Sequence, residues 1–312
     1  MLVEQKITEN AIETYDKVAE SIRYLQSFEP AEGYYLAFSG GKDSCVLKAL
    51  ADMAGVKYDA HYNVTSVDPP ELVRFVREKH SDVVFDVPHD VMIDEDGNEK
   101  EYAVTMWNLI PKKLMPPTRL KRYCCEHLKE HGGDGRVVLT GVRKAESVRR
   151  ARDRSLVNVG SKKEGLRFNT DNDEARDMVE TCYKRGRVTV NPIIEWTDDD
   201  VWEFIRAYNV PYCVLYDMGY KRLGCIGCPM SSHAAEDIER YPKIKDAYLR
   251  AFGRMIEARK KRGLPVKGKC DWSTPEKVMD WWQNRTKVHV SDGQISMFDD
   301  VLEEERYESE LQ

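Results

Sequence analysis

The hexapeptide Ser39-Gly40-Gly41-Lys42-Asp43-Ser44 has the composition of a loop that binds phosphate. Its two glycines allow a tight turn, which brings backbone N–H groups close to an anion. A helix that begins in this loop adds its free N–H groups and the positive end of its dipole. Ser39 and Ser44 supply hydroxyl donors, and Lys42 supplies a compact positive charge. The hexapeptide therefore predicts a nucleotide-phosphate site, and a glycine-rich turn without a ligand is the alternative.

Arg143 is a second candidate phosphate ligand, because it follows the apolar segment Arg136–Gly141, a predicted strand. Open α/β sheets bind ligands at the carboxyl ends of their strands, and a guanidinium can donate two parallel hydrogen bonds to a phosphate. A surface salt bridge is the alternative role for this side chain. Between Lys112 and Arg154, thirteen Lys and Arg residues face five Asp and Glu residues. This local excess of positive charge favours an anionic ligand over a merely solvated basic face.

Four of the eight cysteines form a set with the composition of a metal site: Cys124, Cys125, Cys225 and Cys228. Four thiolates can bind zinc or an iron–sulfur cluster, and a CxxC pair can also be a redox pair. Zinc ribbons normally use two CxxC segments, and an adjacent pair is awkward for a tetrahedral site on one strand, so zinc, a cluster and a redox pair all stay open at this point. The remaining cysteines, Cys45, Cys182, Cys213 and Cys270, have no partner at ligand spacing and are interpreted as structural.

The segments that must position these residues alternate between strand and helix patterns, which predicts an α/β fold with a mainly parallel sheet covered by helices on both faces. The strand candidates are Tyr34–Phe38, Lys57–Val64, Val83–Val87, Arg136–Gly141 and Val188–Ile194. Helices are predicted from about Ile7 to Gln26, from Ser44 to Met53, from Pro69 to His80, and up to Tyr208 after a cap at Thr197–Asp200. The polar stretch from Val157 to Glu180 is predicted to be a mobile loop.

The hexapeptide resembles the PP-loop of the ATP-pyrophosphatase and PAPS reductase superfamily, and the resemblance extends from about Tyr34 to Met230. It implies a Rossmann-like, doubly wound sheet of the adenine nucleotide alpha-hydrolase type. A Walker-type kinase is disfavoured, because its lysine ends a longer spacing. Thr140–Ser147 looks like the family's second nucleotide-proximal segment, which adds Gly141 to the predicted nucleotide ligands Ser39, Gly40, Gly41, Lys42, Asp43, Ser44 and Arg143. Lys42, Asp43 and Arg143 are the predicted catalytic residues, and ATP, APS or PAPS, with Mg as a candidate ion, is the implied nucleotide.

The four clustered cysteines resemble the assimilatory APS reductase branch of this family, in which such a set holds a 4Fe–4S cluster. One feature departs from the family, because the sequence has no Glu-Cys-Gly motif to supply the reductase nucleophile. We therefore expect ATP-dependent activation and sulfur transfer, for example to nucleic acid, with a cysteine desulfurase as a candidate partner. An APS or PAPS reductase that releases sulfite, with Cys270 or an external thiol such as that of thioredoxin, is the first alternative. A non-catalytic nucleotide- or nucleic-acid-binding module is the second.

The last segment, from Ser291 to Gln312, is acidic, with eight acidic residues and one arginine. Within it, Gln294-Ile295-Ser296-Met297-Phe298 resembles the short peptide that docks on the bacterial sliding clamp, and a chance match is the alternative. We expect a nucleotide-binding domain at 1–230, a helical extension at 231–290 and a flexible tail at 291–312. No apolar run is long enough to cross a bilayer and the N-terminus lacks signal-peptide features, so a cytoplasmic protein without a membrane contact is expected.

Overall fold

The computed structural model describes residues 1–7, 12–93, 97–130, 132–160, 166–169, 179, 188–268 and 270–286. These residues divide into two compact units, which are described separately. The first unit comprises residues 1–64, 68–88 and 130–223, and the second comprises 65–67, 89–129 and the chain from 224 onward. The expected boundary at residue 230 differs from this grouping, because residues 89–129 pack with the later helices.

A seven-stranded sheet is the centre of the first unit. Its strands are β3 (Tyr34–Ala37), β4 (Tyr58–Asn63), β5 (Val84–Asp86), β8 (Val137–Leu139), β9 (Val157–Val159), β10 (Leu166–Phe168) and β11 (Val188–Val190). They lie in the order β10-β9-β11-β8-β3-β4-β5. The five strands from β11 to β5 are parallel, and β9 and β10 add antiparallel pairs at one edge. The predicted α/β fold with a mainly parallel sheet is confirmed.

The central strands are short and apolar, as expected of strands that are covered on both faces. Val137–Leu139 and Val188–Val190 are buried along their whole length. Leu36 of β3 pairs with Leu139 of β8, so these two parallel strands end at the same edge of the sheet. The loops that follow β3 and β8 therefore emerge side by side, although about a hundred residues separate them in the sequence.

The helices of the first unit pack around this sheet. They are α1 (Lys17–Ser27), α2 (Lys42–Ala54), α3 (Pro70–Lys79), α6 (Val148–Asp153) and α7 (Asp198–Ala207). Helix α2 packs against α1 and α7. Thr197 caps α7 by accepting the Asp200 backbone N–H at 3.2 Å, as the sequence predicts. Short 3-10 turns follow at Lys144–Glu146 and Val214–Tyr216.

Two parts of the first unit differ from the sequence-based prediction. Instead of one leading helix, the chain forms an antiparallel hairpin of β1 (Val3–Ile7) and β2 (Ile12–Asp16) before α1. Asp16 sets the start of the helix, because its carboxylate accepts the backbone N–H groups of Val18 and Ala19 at 2.9 and 3.1 Å. The predicted loop after Val157 contains β9 and β10. These three-residue strands lie in a polar, charged stretch, so they lack the longer apolar runs that mark the equally short β8 and β11.

The second unit combines a hairpin with helices. Strands β6 (His89–Ile93) and β7 (Glu99–Ala103) pair antiparallel, and the helices are α4 (Met106–Lys113), α5 (Tyr123–Leu128), α8 (Ala234–Arg240), α9 (Pro242–Lys261) and α10 (Pro275–Thr286). Helices thus follow residue 231, as expected. The guanidinium of Arg259 lies inside this unit, where it donates to the carbonyl oxygens of Leu114 and Pro265 at 2.9 and 2.7 Å. Over the described ranges, no helix is both long enough and apolar enough to span a membrane.

Candidate nucleotide site and cysteine cavity

The predicted phosphate loop lies where β3 ends and α2 begins. Gly41 occupies the N-cap position of α2, so the helix begins without a side-chain cap of its own. The Ser44 hydroxyl donates to the Gly41 carbonyl at 2.8 Å and lies 3.3 Å from the Ser39 hydroxyl. The Gly41 N–H reaches the Ser39 hydroxyl only at 3.4 Å. The side chains of Ser39 and Ser44 therefore hold the two ends of the loop together, and the backbone N–H groups of the loop lie at the start of the helix.

Gly40 is required by both conformation and space. Its φ of +71° lies in the left-handed region that other residues rarely adopt. A Cβ atom at this position would lie 2.7 Å from Leu72 Cδ1 and 2.8 Å from Val76 Cγ2 of helix α3. The turn of the loop therefore requires glycine at position 40, because a Cβ atom there would overlap the side chains of helix α3.

The two predicted cations of the site are buried in ion pairs. Lys42 is 3% exposed and Arg143 is 2% exposed. Arg143 donates from Nε to Asp43 Oδ1 at 2.7 Å and from Nη2 to Asp198 Oδ1 at 2.8 Å, and its Nη1 donates to the Trp196 carbonyl at 3.3 Å. Lys42 Nζ lies 3.1 Å from the same Asp198 oxygen. Arg143 thus holds the carboxylates of Asp43 and Asp198, and its contact with a phosphate stays a prediction.

These pairs shift the titration of the site. Burial raises the pKa of Asp43, and the charges of Arg143 and Lys42 offset this only in part. Burial also acts to raise the pKa of Asp198, but hydrogen bonds from Lys42 and Arg143 outweigh it and lower the pKa. For Arg143, burial acts to lower the pKa, and the two carboxylates outweigh that effect and raise it. Together the four side chains form a nearly neutral, pre-ordered cluster at the base of the loop.

Gly141 follows β8 and passes directly beside the loop. A Cβ atom here would lie 3.0 Å from both the carbonyl carbon and the carbonyl oxygen of Asp43. The chain is held in place by the Thr140 N–H, which donates to Val190 of β11 at 3.0 Å. The adjacent strands β3 and β8 thus bring Gly141 and Asp43 together, as the resemblance implies.

A cleft of about 230 Å³ opens over this loop. Of the predicted nucleotide ligands, the cleft is lined by Ser39, Gly41, Lys42, Asp43, Ser44 and Gly141, but not by Gly40 or Arg143. It is also lined by Glu146, Arg150, Tyr216 and Arg222, to which the sequence analysis gave no role. Arg150 belongs to the basic stretch and Arg222 to a charged turn, so their charge was visible in the sequence. The direction in which their side chains point was not.

Glu146 organises the outer part of this cleft. Its carboxylate accepts the Arg143 backbone N–H at 3.1 Å and forms a close ion pair with Arg150. Arg222 Nη2 lies 3.6 Å from its other oxygen. Two guanidinium groups therefore share one carboxylate, which leaves an excess of one positive charge at the outer part of the cleft. This excess favours an anionic ligand there.

The second unit brings the four clustered cysteines to one cavity. Cys124, Cys125, Cys225 and Cys228 line it together with Thr65, Tyr248 and Trp282. Cys124 and Cys125 lie on α5, and Cys225 and Cys228 flank a turn at Gly227. Gly227 has a φ of +71°, and a Cβ atom there would lie 2.8 Å from Ile238 Cδ1. The tight CxxC turn thus depends on glycine, as the loop does at Gly40.

Two sulfur atoms in this cavity form hydrogen bonds, Cys125 as an acceptor and Cys225 as a donor, and the pKa values of Cys124 and Cys125 shift in opposite directions. Arg122 Nη2 donates to Cys125 Sγ at 3.2 Å, and Cys225 Sγ lies 3.5 Å from the Thr65 hydroxyl. The hydrogen bond with the Cys124 thiol is the main cause that lowers the pKa of Cys125 to about 5, and Arg122 contributes a smaller lowering. The same hydrogen bond raises the pKa of Cys124. The donor set and the shared cavity suit a sulfur-ligated group. However, no group of three His, Cys, Asp or Glu side chains in the described ranges is gathered closely enough to hold a metal ion.

Of the other four cysteines and the tail, the structure describes three of the cysteines. Cys45 and Cys213 are buried and Cys270 is partly buried. Burial raises the pKa of Cys45 and of Cys213. Next to Cys270, the Asp271 carboxylate accepts a hydrogen bond from Lys277 at 2.6 Å. Cys182, the acidic tail and Gln294–Phe298 lie outside the described residues.

A mainly parallel α/β sheet with a glycine-rich phosphate loop at the carboxyl ends of adjacent strands defines an α/β nucleotide-binding protein. Residues 33–231 match the sequence model of the Phosphoadenosine phosphosulfate reductase domain, and the chain belongs to that family. The predicted superfamily is thereby confirmed.

Three curated relatives match parts of the chain. An uncharacterized protein of Methanocaldococcus jannaschii is 26% identical over 235 residues, which cover 73% of this chain and 47% of the relative. A phosphoadenosine 5'-phosphosulfate reductase of Xanthomonas oryzae pv. oryzae is 38% identical over 98 residues, 31% of this chain and 39% of the relative. An adenosine 5'-phosphosulfate reductase of Allochromatium vinosum is 30% identical over 135 residues, 39% of this chain and 51% of the relative. The chain thus spans about half, or less, of the length of these relatives.

Two solved structures have a similar course of the chain. The phosphoadenylyl-sulfate (PAPS) reductase of Candida auris, in a phosphate complex, is 18% identical over 67% of this chain and 87% of its own, with a TM-score of 0.41. The U34-tRNA thiolase NcsA of Methanococcus maripaludis, with its 4Fe–4S cluster, is 14% identical over 91% of this chain and 92% of its own, with a TM-score of 0.31. At these scores the likeness carries no argument about function.

Proposed function

We propose that the chain is an enzyme that binds an adenine nucleotide in the cleft of its first unit, with phosphate on the loop from Ser39 to Ser44. The observation that carries this proposal is the convergence of the loop, Gly141 and two arginines on one cleft at the ends of β3 and β8. Family membership supports adenine as the base. The described backbone supports an anion, because the positive N-terminal end of α2 lies at this cleft.

The charged residues in and beside the cleft are proposed to have different roles. Lys42 and Asp43 line the cleft and are proposed to contact the nucleotide, whereas Arg143 is proposed to position Asp43 through their ion pair. Arg150 and Arg222 are proposed to attract the remaining phosphate charge, since they share only one carboxylate. A magnesium ion would be held mainly by phosphate oxygens, with Asp43 as the protein ligand.

For the reaction, we propose ATP-dependent activation followed by sulfur transfer. An acceptor oxygen attacks the α-phosphorus of ATP, the bond to the β-phosphate breaks, and pyrophosphate leaves. The outer sulfur of a persulfide, for example on a cysteine desulfurase, then attacks the activated atom of the acceptor and AMP leaves. An external thiol next attacks the new acceptor–S–S bond, which frees the thiolated acceptor and leaves a disulfide between the two thiols. The described cysteines of the first unit support this choice over direct reduction, because Cys45 and Cys213 are buried and burial raises the pKa of each thiol. Nucleic acid is the proposed class of acceptor.

A 4Fe–4S cluster on Cys124, Cys125, Cys225 and Cys228 is the second part of the proposal. Its support is the soft donor set, the shared cavity and the hydrogen bonds that Arg122 and Thr65 form with two of the sulfur atoms. When bound, such a cluster supplies redox-active iron with soft sites for sulfur. The protein's own contribution is to exclude water, through the apolar side chains of Tyr248 and Trp282.

The alternative is a sulfonucleotide reductase, which the names of the Xanthomonas and Allochromatium relatives favour. In that reaction a thiolate attacks the sulfate sulfur of APS or PAPS, the sulfur–oxygen bond to the nucleotide breaks, and AMP or adenosine 3',5'-bisphosphate leaves. A second thiol, such as that of thioredoxin, then attacks the sulfur of the cysteine, which releases sulfite and joins the two thiols in a disulfide. Cys270 is the candidate thiolate within this chain. It lies in the second unit and is partly buried.

Product assays distinguish these reactions. Pyrophosphate release from ATP, stimulated by nucleic acid and lost in Asp43→Ala, supports the first proposal. Rapid sulfite release from APS or PAPS with thioredoxin, lost in Cys270→Ser, supports the reductase and overturns the first. Binding of nucleotide without either product indicates a non-catalytic module.

A matched pair of variants tests the cleft itself. Arg222→Gln removes a charge that lines the cleft, and Arg152→Gln removes one that is 76% exposed and pairs with its neighbour Asp153. Calorimetric titration with ATP should show weaker binding for Arg222→Gln, by about tenfold for one lost contact to a phosphate, and little change for Arg152→Gln. Equal affinities in the two variants would contradict the placement of the phosphates.

A further inference from the structure

The first backbone N–H group of helix α2 has a partner from a distant part of the chain. The N–H of Lys42 donates to the hydroxyl oxygen of Tyr216 at 2.9 Å, across 174 residues of sequence. N-terminal N–H groups are normally satisfied by the side chain of the N-cap residue, but the N-cap here is Gly41, which has none. The tyrosine hydroxyl therefore caps the phosphate loop in place of a local side chain.

Tyr216 is held firmly in this position. It ends the 3-10 turn Val214–Tyr216, and its backbone N–H donates to the Cys213 carbonyl at 3.1 Å. Its ring packs edge to face on Trp202, with the ring centroids 5.3 Å apart, and contacts Tyr212 as well. The Lys42 ammonium lies 5.7 Å from the centre of the ring. The hydroxyl is thus fixed by packing, as a binding group in a pre-organised site must be.

The Tyr216 hydroxyl offers the cleft a hydrogen-bond donor from outside the loop. A tyrosine hydroxyl carries a single proton and can accept at the same time. Its oxygen accepts the Lys42 N–H and the residue lines the cleft, so the proton is available to an acceptor bound in the cleft. Burial raises the pKa of Tyr216, so the hydroxyl stays protonated and remains a donor at neutral pH.

We propose that Tyr216 is a phosphate-binding residue: its hydroxyl accepts the Lys42 N–H and donates its own proton to a phosphate oxygen of the bound nucleotide. This inference rests on the proposed function of the cleft and adds to it a residue from outside the hexapeptide. In this arrangement the positive end of α2 reaches the phosphate partly through the tyrosine, because the polarised N–H strengthens the O–H donor. The site is complete only when residues 214–216 are folded against α2.

The test compares Tyr216→Phe with Tyr212→Phe. Both changes remove one hydroxyl from neighbouring rings that pack on Trp202, but the Tyr212 hydroxyl donates to Asp217 at 3.1 Å and does not line the cleft. Calorimetric titrations with adenosine, AMP and ATP separate phosphate recognition from base recognition. A thermal melt of each variant without nucleotide first establishes that it is folded.

We expect Tyr216→Phe to bind AMP and ATP about tenfold more weakly than the wild type, with unchanged affinity for adenosine and with Tyr212→Phe like the wild type. Unchanged affinity for AMP and ATP in Tyr216→Phe would overturn the inference. Tighter binding would overturn it too, since the hydroxyl would then merely occupy the phosphate position. A loss of adenosine affinity equal to that of AMP would assign Tyr216 to the shape of the site instead. If the wild-type protein binds none of the three, the proposed function itself fails.

Discussion

Arg143 and Asp43 are joined by a hydrogen bond of 2.7 Å between Nε and Oδ1, which links the segment after β8 to the first turn of α2. The pair is mostly shielded from water, with side-chain exposures of 3% and 23%. A buried pair contributes little net stability when intact, but breaking it leaves an uncompensated charge. This pair therefore makes the geometry of the phosphate loop dependent on a residue a hundred positions away.

Replacing Arg143 by methionine should lower the free energy of unfolding by about 3 kcal/mol, because Asp43 and Asp198 lose their shared cation. Asp43→Asn should cost less, since Arg143 keeps Asp198 and the Trp196 carbonyl. The double variant should be more stable than the sum of the two single effects predicts, as for residues in direct contact. Urea unfolding of the four proteins measures this coupling. Strictly additive costs would show that the pair does not act as a unit.

Gly40 and Gly55 form a natural matched pair, with φ values of +71° and +69°. Alanine at either position should cost about 1 kcal/mol for the left-handed backbone. Gly40→Ala should cost about 2 kcal/mol more, because its Cβ atom overlaps Leu72 and Val76, whereas a Cβ atom at Gly55 meets nothing within 4 Å. Thermal unfolding and ATP titration measure both effects. Similar losses in the two variants would refute the close approach of α3 to the loop.

Asp200 should make the first unit sensitive to acid. Its side chain is fully buried and accepts Lys17 Nζ at 2.8 Å. Burial acts to raise the pKa of Asp200, but the hydrogen bonds from Lys17, the Met1 amino group and Thr197 outweigh it and lower the pKa. Because the unfolded chain then binds the proton more readily, this stabilisation is present above about pH 4 and is lost as the pH falls below it.

The measurement is the free energy of unfolding of the wild type and Asp200→Asn between about pH 7 and pH 2. At pH 7 the variant should be about 3 kcal/mol less stable, since Lys17 loses a buried partner. Below about pH 4 the wild type should lose stability more steeply, so that the two curves converge. Asp199→Asn, at the exposed neighbouring position, is the control. Parallel curves for the wild type and Asp200→Asn would exclude Asp200 as the acid-labile group.

The four cysteines of the cavity should differ from Cys270 in their effect on metal content. Serine at any one of Cys124, Cys125, Cys225 or Cys228 should lower iron and acid-labile sulfide in anaerobically purified protein and bleach its brown absorption. Cys270→Ser, outside the cavity, should retain both. A wild-type protein that contains stoichiometric zinc and no iron would replace the proposed cluster with a zinc site.

Features that depend on local pattern were predictable from the sequence. Apolar runs marked β3, β8 and β11, and the hexapeptide marked the turn at Gly40, because strand burial and glycine geometry are encoded within a few residues. The four cysteines were grouped by spacing, and the structure does bring them to one cavity.

What the sequence could not provide was the direction of side chains across long separations. The ion pairs of Arg143 are an example, because its partners Asp43 and Asp198 lie in the first turns of α2 and α7, far from Arg143 in the sequence. Glu146 lies in the segment Thr140–Ser147 that resembles the family, but the partners of Glu146 and Tyr216 are supplied by other elements, so their roles could not be read from the sequence. The hairpin before α1 was missed for a similar reason: pairing between β1 and β2 overrides a weak helical pattern.

The strand order has a consequence for how the chain folds during synthesis. Strand β3 has β4 as one neighbour and β8 as the other, yet β8 begins only at Val137. Until about a hundred further residues have left the ribosome, one edge of β3 keeps its N–H and C=O groups open to any other strand. Such non-local pairing also slows folding, because the entropy of closing a long loop must be overcome first. The strand that leads into the phosphate loop is therefore exposed to incorrect pairing for much of the synthesis of this unit.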